Sequence, residues 1–169
     1  MFAVEARADE LTSPDVHDRL RAVRRLGQLG DPAAIQPILH ALAEDLDSGV
    51  RGEAAIQLGR FHDPAVIPAL SQGVDHRSSK VRRRIANVLG AIQDPQALPL
   101  LSRLLKDAVS SVRVEAAQSL GRFEKIPGAV PVLQEALKDP RPAVRRAARQ
   151  ALEALGELDT PRLKKRRAP

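Results

Sequence analysis

Cysteine, tryptophan and tyrosine are all missing from the 169-residue sequence, and phenylalanine occurs only three times. Without cysteine the chain has no disulfide, no cysteine-ligated zinc or iron–sulfur cluster and no thiol nucleophile. With so few aromatic residues, the core has to be built from leucine, isoleucine, valine and alanine. Such a core favours close helix packing over a β-sandwich, in which aromatic and β-branched residues are preferred.

Long apolar runs are missing as well. No stretch of 18 apolar residues occurs, so the sequence predicts no transmembrane helix. The first ten residues already contain three acids, which is not the pattern of a secretory signal. We therefore expect a cytoplasmic protein.

The formal net charge of +6 is concentrated at one end of the sequence. Residues 160–169 contain five basic residues and no acid, whereas residues 1–159 contain 22 basic and 21 acidic residues. The five are Arg162, Lys164, Lys165, Arg166 and Arg167. A segment of this composition cannot bury apolar surface, so we expect a disordered basic tail. It could bind nucleic acid or an anionic surface weakly, steer an acidic protein partner, or only keep the protein soluble.

The dipeptide Val-Arg marks an internal repeat. It recurs at residues 50–51, 81–82, 112–113 and 144–145, which are 31, 31 and 32 residues apart; Val23-Arg24 lies outside this frame. A leucine stands eight residues after each valine, and glycine follows that leucine in the first three copies. Residues 18–27 fit the same frame, with Asp18 in place of the valine. The pattern predicts five copies of one helix, which we call the first helix of each repeat.

A break and a second apolar segment follow four of these helices. The breaks are Asp31-Pro32, Asp63-Pro64, Asp94-Pro95 and the longer 124–128. Aspartate supplies an N-cap oxygen, proline suits a first helical turn, and the apolar residues that follow are spaced by three and four. Each hairpin of about 31 residues must stack on its neighbours to bury its apolar side. The sequence therefore predicts an all-α protein, a right-handed α-solenoid of about five stacked helical hairpins.

The pattern Val-Arg-x-x-Ala-Ala-x-x-Leu-Gly, then Asp-Pro-x-x-Ile-Pro-x-Leu, occurs in residues 50–70. It resembles the HEAT-like repeats of the phycobilin lyase type, and the resemblance covers residues 13–156. It implies a capping helix over 1–12, a HEAT-like solenoid over 13–159 and a tail over 160–169. It does not imply one function, because the family includes scaffolds, chromophore-lyase subunits and DNA glycosylases.

An arginine follows the valine position in every repeat: Arg19, Arg51, Arg82, Arg113 and Arg145. Acids stand shortly before the next valine: Asp45, Asp107 and Asp139 five residues before it, and Asp75 six before it. The resemblance to HEAT repeats implies that these residues form a structural ladder between adjacent repeats. Arginine suits this role because its guanidinium binds a carboxylate in a two-pronged geometry.

The repeat frame also accounts for the glycines and phenylalanines. The glycine after the leucine is expected either to end the helix with positive φ or to allow close approach of a neighbouring backbone. Phe61 and Phe123 share a position that Leu29 and Ile92 fill in other repeats, which predicts a core position. Phe2 is expected to cover the open N-terminal end.

Catalytic and metal-binding patterns are absent from the sequence. There is no G-x-S-x-G, G-x-x-x-x-G-K-[ST] or G-x-G-x-x-G motif, and the four histidines share no metal-ligand spacing. These are His17, His40, His62 and His76. We expect no catalysis, no cofactor and no metal site.

The side chains two, three, six and ten residues after the valine position point away from the core, and we call this surface the first-helix face. In solenoids of this type it lines the concave, partner-binding side. Adding Lys80, which begins the basic run 80–84, the candidate binding residues are Arg24, Glu53, Ile56, Arg60, Lys80, Arg83, Arg84, Asn87, Val114, Glu115, Gln118, Arg122, Arg146 and Gln150.

These residues predict a monomeric, non-catalytic scaffold that binds another protein, because arginine and exposed apolar groups suit protein interfaces. One alternative is a non-specific nucleic-acid-binding module that uses the tail and an Arg83/Arg84 patch. Glu53 and Glu115 count against duplex DNA following the whole face, since phosphate contacts want positive charge. Another alternative is a phycobilin-lyase-like subunit, which the family resemblance leaves open.

Overall fold

The computed structural model describes residues 2–61, 66–71, 73–123 and 128–158, with the side chains of residues 2, 3 and 69 left aside. The expectations for Phe2, His62, the Asp63-Pro64 break, residues 124–127 and the basic tail fall outside this description. In the described part of the chain, all regular structure is helical.

The predicted helical repeats are confirmed. The chain begins with α1 (Phe2–Asp9), and the first helices are α2 (Val16–Leu29), α4 (Ser48–Arg60), α6 (Ser79–Ile92), α8 (Ser110–Leu120) and α10 (Pro142–Ala154). The second helices are α3 (Ile35–Glu44), α5 (Val66–Ser71), α7 (Leu98–Leu104) and α9 (Ala129–Ala136). Short 3-10 turns at Pro32–Ala34 and Pro95–Ala97 precede α3 and α7.

Each of these 3-10 turns is capped by the aspartate of an Asp-Pro pair. Asp31 accepts a hydrogen bond from the backbone N–H of Ala33, and Asp94 from that of Gln96. The sequence correctly places a capped turn here, but the α-helix itself starts three residues after the proline. The proline therefore begins a 3-10 turn rather than an α-helical one.

The core lies between the first helices, which pack side by side in adjacent repeats (α2 on α4, α4 on α6, α6 on α8 and α8 on α10), and the second helices that pack on them. The repeated valines and leucines are fully or almost fully buried in it. The glycine after the leucine permits this packing: a Cβ atom on Gly90 would lie 2.8 Å from Ser119 Cα, and one on Gly121 would lie 2.8 Å from Ala151 Cα. Positive φ occurs instead at Gly30, Gly156 and Gln93.

The predicted aromatic core position is only partly realised. Phe123 and Ile92 are buried, and Phe61 is half-buried against the core. Leu29 is 39% exposed, so the prediction of a core residue is wrong there. Besides α3 and α4, α1 and a 3-10 turn at Glu10–Thr12 pack against α2.

Among the helices just described, none combines the length and the apolar composition that a membrane crossing requires.

Candidate partner-binding surface

The predicted arginine–aspartate ladder is present in three rungs, each made of one arginine and the aspartate of the next repeat. Arg19 binds Asp45 at 2.8 and 3.2 Å, and Arg82 binds Asp107 at 2.6 and 2.9 Å. Arg113 binds Asp139 at 2.7 and 3.1 Å. In every case Nε and Nη2 of the arginine donate to the two carboxylate oxygens, the bidentate geometry in which guanidinium and carboxylate match best.

The third guanidinium nitrogen, Nη1, holds the loop before the helix. It donates to two carbonyls, five and six residues earlier in the chain, in all five repeats. For Arg82 these are the carbonyls of His76 and Arg77, at 2.7 and 3.2 Å. Each ladder arginine is therefore oriented by its own repeat before it reaches the next one.

Electrostatics support the carboxylate form of the ladder acids. Burial by itself would raise the pKa of Asp107, but hydrogen bonds from Arg82 and from the backbone N–H of Val109 bring that pKa below its usual value. Hydrogen bonding by Arg113 likewise lowers the pKa of Asp139. Both rungs are consequently ion pairs at neutral pH.

The prediction that Asp75 is a ladder acid is wrong. Asp75 is exposed and forms an ion pair with Arg103 at 2.7 Å. The equivalent of the ladder aspartates, five residues before the valine, is His76. Its Nδ1 accepts from the backbone N–H of Ser78 at 3.1 Å, just as Asp107 accepts from Val109 at 2.8 Å. The offset of five residues fixes the position, because the turn before each first helix is the same.

The first-helix face is where the candidate binding residues lie. Ten of them are exposed: Arg24, Ile56, Arg60, Lys80, Arg83, Asn87, Gln118, Arg122, Arg146 and Gln150. The other four, Glu53, Arg84, Val114 and Glu115, are half-buried. Val114 packs against the core, so Ile56, at 59% exposure, is the more accessible of the two apolar residues predicted on this face.

Polar contacts connect this face across repeat boundaries. Arg24 on α2 donates to Glu53 on α4 at 3.1 Å, and Asn87 on α6 donates to Glu115 on α8 at 2.8 Å. Burial would raise the pKa of Glu53, yet hydrogen bonds from Arg24 and Gln57 bring it below the usual value. The acids of the face are thus held by its own side chains.

Arg84 is less accessible than the predicted Arg83/Arg84 patch requires, because its side chain is half-buried. Its Nη2 donates to the carbonyl of Ser48 at 3.2 Å, and its Nη1 is buried with no hydrogen-bond partner among the described residues. Burial, together with the charges of Arg51 and Arg83, lowers the pKa of Arg84. The guanidinium of Arg84 lies beside Gly52, where a Cβ would be at an ordinary contact distance of 3.6 Å from Nη2, so this position does not require the glycine.

The family model for HEAT repeats matches residues 4–78, 67–153 and 110–165. This chain belongs to the HEAT-repeat proteins. None of the curated protein sequences matches it. Several solved structures, however, share the fold of this HEAT-repeat protein.

The CpcE–CpcF complex of phycocyanin lyase from Nostoc sp. PCC7120 superposes with a TM-score of 0.67 and 24% identity, over 92% of this chain and 65% of that one. Human deoxyhypusine hydroxylase gives 0.64 and 24%, over 93% and 63%. A structure on microtubule plus-end tracking by XMAP215, CLIP-170 and EB1 gives 0.66 and 19%, over 89% and 77%. The chain thus spans less than two thirds of the first two proteins. At these identities only the fold is shared, and the fold does not decide between binding and catalysis.

Proposed function

We propose that this HEAT-repeat protein is a non-catalytic scaffold that binds another protein through the first-helix face. The observation that carries the proposal is that Ile56 is exposed on a polar face. Hydrogen bonds between Arg24 and Glu53, and between Asn87 and Glu115, connect this face across repeats. An apolar anchor surrounded by arginine and amide groups is the composition of a protein interface core and rim. The proposal includes a monomer in the cytoplasm, with the basic tail adding attraction for an acidic partner.

Photo-crosslinking in the native host tests this proposal. Benzoylphenylalanine is placed at Ile56 or Gln118 on the first-helix face, and at Gln134, an exposed residue of second helix α9, as the matched control. We expect the same protein to be crosslinked from Ile56 and Gln118 but not from Gln134. Crosslinks from Gln134 alone, or from none of the three positions, would contradict the proposal.

Non-specific nucleic-acid binding is the second candidate, favoured by Lys80 and Arg83, which are exposed on α6 beside Arg84. With few aromatic side chains for base stacking, only phosphate contacts are available to it. The test compares duplex DNA binding by the full chain and by residues 1–159 at two salt concentrations. Binding that falls steeply with salt, and with removal of the tail, would support this candidate. Absent or salt-insensitive binding would reject it.

A further inference from the structure

The rung at Arg51 is unlike the three complete rungs. Its Nη1 donates to the carbonyls of Asp45 and Leu46, at 2.5 and 2.9 Å, so its guanidinium is oriented by the loop like those of the other repeats. No carboxylate of the described residues lies within ion-pair distance of it. Nε and Nη2, which hold an aspartate elsewhere in the ladder, therefore have no acid to bind.

The residue that replaces the aspartate is unable to substitute for it. His76 Nδ1 already accepts from Ser78, and Nε2 lies 3.2 Å from Glu44 Oε1. With Nδ1 as an acceptor, the proton sits on Nε2 and points to Glu44, because a carboxylate only accepts. The imidazole is thus left without a free acceptor for Arg51.

The acids around Arg51 already have partners, whereas two further cations, Arg77 and Lys80, line the same groove between the second and third repeats. Glu44 is bound to His76, Asp45 is paired with Arg19, and Asp47 accepts from the backbone N–H groups of Gly49 and Val50. Arg84 lies close enough for the charge of Arg51 to lower its pKa, and in the described part of the chain its buried Nη1 has no hydrogen-bond partner. An incoming carboxylate would relieve this repulsion.

We propose that Arg51 is an open rung, a site that binds an aspartate or glutamate side chain of an acidic segment in a partner protein. The complete rungs of the same chain show how a carboxylate would bind at Arg51, because three equivalent arginines bind carboxylates at 2.6 to 3.2 Å. Leu46, 95% exposed at the edge of this groove, offers an apolar contact to a residue beside the acid. This inference rests on the proposed protein-binding function and names the chemistry of the partner.

The His76→Asp variant tests the open rung without removing any ladder arginine. It supplies the internal carboxylate that the other rungs have, so we expect a higher melting temperature and about tenfold weaker binding of an acidic ligand. The probe is a fluorescein-labelled peptide of alternating glutamate and leucine, measured by anisotropy on the full-length chain. His17→Asp, at an exposed position of α2, makes the same change in charge and is expected to bind like wild type.

Two further comparisons complete the test. Arg51→Ala should lose peptide binding as well, and a peptide with glutamine in place of glutamate should not bind. Equal peptide affinity for the His76→Asp and His17→Asp variants would overturn the inference, and so would tighter, His76-sensitive binding of duplex DNA. Such a failure leaves the crosslinks from Ile56 unaffected. Conversely, if no partner is crosslinked from Ile56, partner binding by the first-helix face is refuted, whereas the peptide comparison is unaffected.

Discussion

The arginine after each repeat valine connects three parts of the chain: its own helix, the loop before that helix and the acid of the next repeat. Arg82 and Asp107 show the complete arrangement, with side chains only 14% and 8% exposed. A buried ion pair contributes most to stability when both partners are fully hydrogen-bonded, as they are here. Removing one partner leaves the other charged and unpaired.

The Asp107→Ala variant should therefore lose about 3 kcal/mol of unfolding free energy. Asp75→Ala serves as the control, because it removes an exposed ion pair and should cost less than about 1 kcal/mol. Urea denaturation at neutral pH measures both. Equal losses in the two variants would mean that the ladder pair contributes no more than a surface pair.

Acid should weaken the same rung. The pKa of Asp107 is lower in the folded protein than its ordinary value of 3.8, so the folded state favours the carboxylate. The stabilisation is complete above about pH 4 and is lost as the pH falls through the folded pKa. We expect the difference between wild type and the Asp107→Ala variant to shrink when urea denaturation is repeated near pH 2.5. A constant difference would contradict the ion-pair assignment.

The glycine that follows the repeat leucine is needed for helix packing only in repeats where the backbone of the neighbouring helix lies close to it. Gly90→Ala would place a Cβ 2.8 Å from Ser119 Cα, whereas Gly59→Ala would place one at an ordinary 3.6 Å from Ala91 Cβ. We expect Gly90→Ala to destabilise by about 1–3 kcal/mol despite the better helix propensity of alanine. Gly59→Ala should be neutral or stabilising by up to about 1 kcal/mol. Similar melting temperatures for the two variants would refute this packing.

The sequence predicts the first helices well because their valines and leucines recur in every copy and face the same shared core. The positions of the ladder acids are predictable from the same regular spacing. In the third repeat this spacing indicates residue 76, whereas a search for an acidic residue selects Asp75. The exposure of Leu29 was not predictable from the repeat frame, because the equivalent Ile92 and Phe123 are buried. The half-burial of Arg84 was not predictable from the repeat frame either, because it goes with a contact to the preceding repeat, in which Nη2 donates to the carbonyl of Ser48.

Viewed as a whole, the molecule is a row of repeats stabilised by contacts between neighbours, and the proposed binding surface extends across those repeats. The ladder joins adjacent repeats at three boundaries, whereas at the boundary between α4 and α6 no carboxylate of the described residues pairs with Arg51. On the first-helix face, Ile56 belongs to the same α4 as Arg51. The second repeat is therefore where we expect a partner to make its main contacts.

The most direct test uses the partner protein that is crosslinked through Ile56. Its affinity for two charged variants decides whether the first-helix face binds it. Ile56→Asp puts a charge in place of the apolar anchor, and Gln134→Asp adds the same charge to exposed α9. Isothermal titration calorimetry on the full-length chain should show a loss of about tenfold or more for Ile56→Asp and less than about twofold for Gln134→Asp. Unchanged affinity of the Ile56→Asp variant, or equal losses in both, would contradict partner binding by the first-helix face.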